Sequence, residues 1–186
     1  MNDLKARLAR HLMALSYVQG EVILTSGRKS DYYFDCKQTA LHPEGGYLIG
    51  KLFLDMLKGT DASGVAGMTL GADPLVAAVS LLSQLEGCPL PAMIIRKASK
   101  GHGTDQYLEG VKNFLPGATV ALLEDVVTTG GTLITSAERL RAAGFKVGSV
   151  LCVLNREEGG AERLAEAGLT LQSIFTRNEL LAAAKG

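Results

Sequence analysis

The chain has 186 residues, 47% of them hydrophobic and 20% charged, a composition typical of one globular domain with a substantial core. Its 19 basic and 19 acidic residues balance, which argues against a protein that binds nucleic acid through a broad basic surface. No run of 18 apolar residues predicts a membrane span, and the first residues lack the apolar stretch of a signal peptide, so we expect a cytoplasmic protein bound to neither membrane nor nucleic acid.

Helical and extended patterns alternate along the chain. Apolar residues at three- and four-residue spacing predict helices at 3–17, 44–58, 74–86, 132–143, 161–167 and 178–184. Short apolar runs predict strands at 22–24, 32–36, 65–68, 93–96, 120–124, 147–154 and 171–175. Strands that alternate with helices favour right-handed crossovers. The sequence therefore predicts a single α/β domain over residues 1–186, with a central, mostly parallel sheet flanked by helices.

The three cysteines, Cys36, Cys88 and Cys152, are scattered and form no CxxC pair. Their odd number is unlike a pure disulfide framework, and zinc-ligand spacing is missing. We expect them to be small core residues in a reducing compartment.

Residues 120–133 read V-A-L-L-E-D-V-V-T-T-G-G-T-L and carry the most informative pattern in the chain. An apolar run stops at Glu124 and Asp125, and a Thr/Gly turn at 128–132 then leads into a helix. Such a turn presents backbone N–H groups and hydroxyls to a phosphate. Carboxylates repel a phosphate but accept hydrogen bonds from vicinal sugar hydroxyls. The residues therefore predict a site for a phosphoribosyl group.

The segment 97–117 is too polar for core and too long for a simple connection, which is typical of a functional loop. The segment contains Lys97, Lys100 and His102 together with glycines, and Arg96 directly precedes it. Chemistry that releases pyrophosphate needs cations of this kind to stabilise the departing charge, and a mobile segment to exclude water.

Polar residues stand at the ends of three of the predicted strands. They are Arg96 and Lys97, Glu124 and Asp125, and Asn155 and Arg156. Ligands in parallel sheets bind beyond the carboxyl ends of the strands, so we expect these side chains to meet in one crevice.

The pattern at 120–133 resembles the 5-phosphoribosyl 1-pyrophosphate (PRPP) motif of the type I phosphoribosyltransferases. The segment R-K-x-x-K-x-H-G at 96–103, followed by E-G at 109–110, resembles the catalytic loop of the orotate phosphoribosyltransferases within that family. Segments at 24–35, 67–74 and 155–160 are also similar to that family, so the resemblance covers most of the chain.

The resemblance implies a type I phosphoribosyltransferase fold with a small N-terminal hood at about residues 1–40 and a flexible catalytic loop at about 97–110. It implies transfer of phosphoribosyl from PRPP to N1 of orotate, giving orotidine 5′-monophosphate and pyrophosphate, in pyrimidine (UMP) biosynthesis. Mg²⁺ would be held mainly by PRPP and pyrophosphate rather than by protein ligands. The enzyme would be a homodimer whose catalytic loop reaches into the neighbour's site.

Residue roles follow from the same resemblance. Lys100, His102 and Asp125 would be catalytic, and Thr128 and Arg156 would bind orotate. The segment at Tyr33 and Phe34 would pack near the pyrimidine ring, with plain core packing as the alternative. The residues that bind PRPP would be Arg96, Lys97, Lys100, His102, Glu124, Asp125, Val126, Val127, Thr128, Thr129, Gly130, Gly131 and Thr132.

The chain departs from the family's pattern at two positions. Thr25 and Gly71 stand where many relatives carry lysine, so fewer cations surround the substrates. Asp73 in the same glycine/proline segment either touches a Mg²⁺-bound water or caps the helix that Pro74 opens.

Two other functions remain open at this point. One is a phosphoribosyltransferase for another base, although purine enzymes share the PRPP motif without the loop at 96–103 and the N-R-x-x-G segment. The other is a regulatory protein of the same fold that senses PRPP or a nucleotide. Zero net charge and the presence of both Lys100 and His102 count against it.

Overall fold

The computed structural model of the chain describes residues 3–23, 29–99 and 107–183. Its strands are β1 (Tyr17–Ile23), β2 (Lys29–Phe34), β3 (Val65–Met68), β4 (Ala92–Ile95), β5 (Leu108–Glu109), β6 (Thr119–Val127), β7 (Lys146–Asn155) and β8 (Leu171–Thr176). Its helices are α1 (Asp3–His11), α2 (Cys36–Ala40), α3 (Pro43–Leu57), α4 (Asp73–Leu85), α5 (Gly131–Ala142), α6 (Gly160–Glu166) and α7 (Arg177–Ala183).

The main sheet has the strand order β5-β4-β3-β6-β7-β8. All neighbouring strands in it run parallel except β5, which pairs antiparallel with β4. This arrangement confirms the predicted α/β class with a central, mostly parallel sheet. It also places the carboxyl ends of β4, β3, β6 and β7 side by side at one edge.

Helices cover both faces of the sheet. Side chains of α1, α3 and α4, such as Leu8, Phe53 and Val79, are buried on one face. Those of α5 and α6, such as Leu140 and Leu164, are buried on the other. Central strands are thus enclosed on both sides, which explains why their sequences are continuous apolar runs rather than alternating ones.

A separate antiparallel hairpin of β1 and β2 forms the hood near the N-terminus. The predicted helix at 3–17 is wrong beyond His11, because a π-helical turn (Leu12–Ser16) follows and β1 begins at Tyr17. Tyr17 pairs with Phe34, and the Asp35 N–H donates to the Ser16 carbonyl at 2.9 Å. Pairing with a distant strand therefore overrides the local helical spacing. A turn was predicted at 26–30 between the two hood strands; residues 26–28 lie outside the described residues, and Lys29 and Ser30 belong to β2 instead.

Helix α2 was not predicted, since the strand pattern at 32–36 was extended too far. The signal for the helix is Asp35, whose carboxylate accepts a hydrogen bond from the Lys37 N–H at 3.2 Å. This is N-cap geometry, which begins a helix and ends the preceding strand.

Strand β6 continues past the predicted end at residue 124. Its pairing with β7 extends to Val127 opposite Asn155, so Glu124 and Asp125 lie within the strand and not in a turn after it. Inside the long polar segment, β5 and a 3₁₀ turn (Val111–Asn113) were also missed. The strands expected at 22–24 and 32–36 both begin earlier than predicted, since β1 starts at Tyr17 and β2 at Lys29. The other predicted strands and helices agree with the structure to within one residue at each end.

None of the helices in the described parts of the chain combines the length and the apolar character that a membrane crossing requires.

Candidate active site

Glu124 and Asp125 lie side by side near the end of β6. The Asp125 N–H donates to Glu124 Oε1 at 3.1 Å, and the Val126 N–H donates to Asp125 Oδ1 at 2.8 Å. Glu124 is only 8% exposed. Burial raises the pKa of its carboxyl well above the usual range, and the neighbouring charge of Asp125 raises it further. The two groups are thus held at a strand end with Asp125 the more open of the pair.

The Asp125 carboxyl packs against the segment that follows β3. A Cβ atom added to Gly71 would lie 2.7 Å from Asp125 Oδ2, so a glycine leaves room for the carboxylate there. In the same segment, the Thr69 hydroxyl donates to Asp73 Oδ2 at 2.9 Å, and the Thr69 N–H donates to the Ile95 carbonyl at 2.9 Å. This segment therefore joins the ends of β3, β4 and β6.

Asp73 does not cap helix α4. It is the first residue of the helix, and Ala72 occupies the N-cap position without a side-chain hydrogen bond. The carboxylate of Asp73 is turned to Thr69 instead. The capping interpretation is therefore wrong, because the helix begins one residue earlier than expected.

The turn after β6 has the geometry of an anion cradle. Gly130 adopts a left-handed conformation (φ 73°) at the N-cap of α5, where no side chain caps the helix. A Cβ at Gly130 would also lie 3.1 Å from the Gly160 carbonyl, so both the backbone angle and the packing require glycine. The first N–H groups of α5 remain available to an anionic ligand at the end of the turn formed by Thr128 and Thr129.

Arg156 follows β7 and lies beside this turn. Its N–H donates to the Val127 carbonyl at 2.9 Å, which places it next to Thr128. The side chain is only 6% exposed, forms an ion pair with Glu158 at 2.8 Å, and lies over the Tyr32 ring. Both predicted orotate-binding residues are therefore brought together at adjacent strand ends.

Arg96 and Lys97 follow β4 and line a cavity of about 380 Å³. Arg96 forms an ion pair with Glu109 at 3.2 Å, and the charge of Lys97 acts to lower the pKa of Glu124. Arg139 of α5 donates to the carbonyls of Arg96 and Lys97, and its guanidinium lies 4.1 Å from the Tyr107 ring centroid. One helix side chain thus holds both edges of the catalytic segment. Lys100 and His102 lie outside the described residues.

The hood contributes an aromatic group that the sequence did not single out. Phe34 is buried, whereas Tyr33 is 40% exposed. The ring next to Arg156 belongs to Tyr32, and Arg177 at the start of α7 contacts the same ring. No local pattern predicted Tyr32, Arg139 or Arg177, because each acts through residues far away in the chain.

Among the residues that the structure describes, no group of three or more His, Cys, Asp or Glu side chains forms a metal cage. Carboxylate oxygens, the donors that Mg²⁺ prefers, are nevertheless present at the crevice on Asp125 and Asp73. Such a donor set fits an ion that keeps several waters and is bound largely through substrate phosphates.

Comparisons with known proteins agree with this geometry. Residues 68–175 match the family model described as phosphoribosyl transferase domain. The orotate phosphoribosyltransferase of Thermosynechococcus vestitus is 46% identical over 97% of this chain and 96% of its own length. That of Nostoc sp. is also 46% identical, over 97% and 86%.

Solved structures give the same result. The orotate phosphoribosyltransferase of Mycobacterium tuberculosis in complex with PRPP superposes with a TM-score of 0.80 at 33% identity, covering 95% of this chain and 98% of that one. The adenine phosphoribosyl transferase of Trypanosoma brucei, at 18% identity and a TM-score of 0.67, shares the fold alone. With its acidic pair, its phosphate turn and Arg156 gathered at one edge of the sheet, the chain belongs to the orotate phosphoribosyltransferase family of the type I fold.

Proposed function

We propose that the protein transfers the 5-phosphoribosyl group of PRPP to N1 of orotate, producing orotidine 5′-monophosphate and pyrophosphate for UMP biosynthesis in the cytoplasm. The observation that carries the proposal is the juxtaposition of three different binding groups at adjacent strand ends. An acidic pair, an uncapped helix start and a buried arginine suit ribose hydroxyls, a phosphate and a carboxylate, respectively.

PRPP would occupy the turn and the end of β6. The hydroxyls of Thr128, Thr129 and Thr132 and the first N–H groups of α5 would bind the 5-phosphate. Val126 and Val127 connect the acidic pair to this turn. Glu124 and Asp125 would accept hydrogen bonds from the ribose hydroxyls, with Asp125 in the catalytic position because it is the more open of the two.

Orotate would bind between the turn and the hood. The planar guanidinium of Arg156 matches a carboxylate in a forked pairing, and Thr128 offers a hydroxyl nearby. Both side chains lie at the ends of paired strands, since Val127 and Asn155 are in register. The aromatic hood strand β2 covers this side, with Tyr33 open enough to meet a pyrimidine ring.

Pyrophosphate would leave toward the cations of the catalytic segment. Arg96 and Lys97 stand at its start, and Lys100 and His102 would complete the set. Mg²⁺ bound to the phosphates would supply further charge neutralisation during departure. Orotate is already an anion, so its attack needs little general-base help, and the chain's residues act by position and charge.

A homodimer would complete the site. Leu70, Leu81 and Leu85 are exposed leucines along α4 and the segment before it. That segment packs on Asp125 through Gly71. A second copy that covered these leucines would approach the crevice at Leu70, in the segment that packs on Asp125, and could offer its own catalytic segment there. The leucine face is defined by these three residues.

The alternatives make different demands on the site. A purine phosphoribosyltransferase would use the same turn to bind PRPP, but its purine substrate has no carboxylate for Arg156 to bind. A regulatory binder would have no use for cations directed at a leaving pyrophosphate. PRPP binding without turnover would be the observation in favour of a regulatory protein.

The test is the loss of orotate absorbance when PRPP and Mg²⁺ are added to the purified protein. Adenine, guanine, hypoxanthine, xanthine and uracil serve as parallel acceptors. We expect rapid consumption of orotate alone. Turnover of another base would retain the PRPP site and contradict the roles of Thr128 and Arg156. PRPP binding without any turnover would favour the regulatory alternative.

A further inference from the structure

Two guanidinium groups contact one buried ring in the hood. The Arg156 Cζ atom lies 4.6 Å, and the Arg177 Cζ atom 4.8 Å, from the centroid of the Tyr32 ring. Tyr32 is only 5% exposed, and Tyr17 stacks on it at 5.7 Å between ring centroids. These distances are within the range of attractive cation–π contacts, which strengthen when they are shielded from water.

The start of α7, and with it Arg177, is fastened to the segment that carries Arg156. The Glu157 carboxylate accepts a hydrogen bond from the Asn178 N–H at 3.1 Å. Thr176 and Glu179 form reciprocal bonds at the helix start, from the Thr176 N–H to the Glu179 carboxylate at 3.0 Å and from the Glu179 N–H to the Thr176 hydroxyl at 3.2 Å.

Glu157 makes this connection from an unfavourable backbone conformation. Its φ of 59° is left-handed, a region where glycine or asparagine is the easier residue. Its N–H donates to the Asn155 side chain at 2.9 Å, which stabilises the bend. A glutamate at this position places a carboxylate where it joins the end of β7 to α7.

We propose that Arg177 is a positioning residue for the orotate site, acting on Arg156 through the ring of Tyr32. Long arginine side chains lose rotamer freedom when they bind a ligand, so one that is already ordered binds a carboxylate more tightly. Arg177 holds the ring in place from the α7 side, and the ring in turn orders the Arg156 guanidinium. The inference rests on the proposed function, since it concerns the affinity for the orotate carboxylate.

Arg177→Ala is expected to raise the KM for orotate about fivefold, the change that corresponds to the loss of one shielded cation–π contact. The KM for PRPP and kcat are expected to stay within about twofold, because the ring belongs to the hood strand β2 and the PRPP turn follows β6 in the main sheet. Arg177→Lys should recover part of the orotate affinity, since an ammonium also interacts with a ring face.

Tyr32→Leu removes the group through which Arg177 acts. If the ring transmits the effect, the double variant Arg177→Ala/Tyr32→Leu will raise the KM for orotate no more than Tyr32→Leu alone. Arg141→Ala, on the exposed side of α5, is the matched arginine control and should leave all three constants unchanged. Thermal unfolding of each variant shows whether the fold is retained.

An unchanged KM for orotate in Arg177→Ala would overturn the inference while leaving orotate turnover by the unaltered protein intact. Equal increases in both KM values would do the same, because they would indicate a general structural loss. Additive effects in the double variant would exclude transmission through Tyr32. If the unaltered protein did not consume orotate, the proposed function and this inference would both be wrong.

Discussion

Glu124 is a carboxyl group whose surroundings favour its protonated form. Burial and the adjacent charge of Asp125 raise its pKa in the folded protein. The folded chain therefore holds this proton more tightly than the unfolded chain. Stability contributed by the group is present at low pH and is lost as the pH rises from the ordinary value for glutamate toward the raised one. The ionised form of Glu124, which the proposed ribose site would use, therefore lowers the stability of the fold.

Glu124→Gln should separate this cost from the function. We expect the variant to be more stable than the unaltered protein by about 1–2 kcal/mol at neutral pH, because an amide neither buries a charge nor has to take up a proton on folding. The KM for PRPP should rise at least about tenfold, because an amide is a weaker acceptor for sugar hydroxyls. Denaturant unfolding and steady-state kinetics measure the two effects. Glu138→Gln, on the exposed side of α5, is the control. A loss of stability in Glu124→Gln would contradict the expectation.

The cysteines differ sharply in their surroundings. Cys36 and Cys152 are fully buried, and burial raises the pKa of both thiols. Cys88 is exposed in the connection after α4, so the expectation that all three are core residues is wrong for it.

A thiol reagent such as DTNB should therefore react with one cysteine per native chain, since only an accessible thiolate is nucleophilic. All three should react after denaturation. Cys88→Ser is expected to abolish the native reaction and to leave activity unchanged. Rapid native reaction in that variant would show that Cys36 or Cys152 is accessible.

At the scale of elements, helix α5 has two tasks. Its start would offer N–H groups to the phosphate of the proposed ligand, and its last turn carries Arg139, which binds the backbone after β4 and the Tyr107 ring before β5. The phosphate turn and the base of the catalytic segment are therefore attached to one rigid body. We expect Arg139 to maintain the positions of Arg96 and Lys97 relative to bound PRPP.

Arg139→Ala should raise the KM for PRPP by about three- to tenfold, the usual effect of losing one or two charge-assisted hydrogen bonds. The KM for orotate should change little, which is the reverse of the pattern expected for Arg177→Ala. Steady-state kinetics with each substrate varied in turn gives the result, with Arg141→Ala from the same helix as the control. A selective effect on orotate would contradict the role given to Arg139.

Most elements could be predicted from the sequence because their signals are local. Apolar runs, Pro74 at the start of α4 and Gly144 after α5 define strands and helix ends within one residue. The predictions fail where pairing with a strand that is distant in sequence determines the structure. Tyr17 belongs to β1 because it pairs with β2. Strand β6 extends past Glu124 and Asp125 because it still pairs with β7 beyond them. Neither partner is visible in a local window.

The candidate site divides in the same way. Glu124, Asp125, the turn at 128–132 and Arg156 were predicted because a contiguous motif and strand ends identify them. Tyr32, Arg139 and Arg177 could not be predicted. The role proposed for each depends on a contact between segments that are remote in sequence. Local chemistry thus identifies candidates for the groups that bind the substrates, and only the fold shows which side chains contact those candidates.

At the scale of the whole molecule, the proposed dimer would link assembly to activity through the leucine face. If a second copy covers it, a charge there should separate the copies. We expect Leu81→Glu to shift the protein from dimer to monomer in analytical ultracentrifugation and to reduce kcat at least about tenfold, because unpaired buried charge is costly at an interface. Leu115→Glu, at another exposed leucine, should do neither. A fully active Leu81→Glu monomer would contradict a shared site.

Gly71 carries a consequence for sequence variation in this family. Any side chain there would meet the Asp125 carboxyl, with its Cβ 2.7 Å from Oδ2. The two positions are therefore epistatic, although more than fifty residues separate them in the chain. A lysine at position 71 on this backbone would displace the Asp125 carboxyl instead of simply adding a cation. We expect that residues 69–73 would have to be exchanged as a unit to accommodate a lysine at position 71.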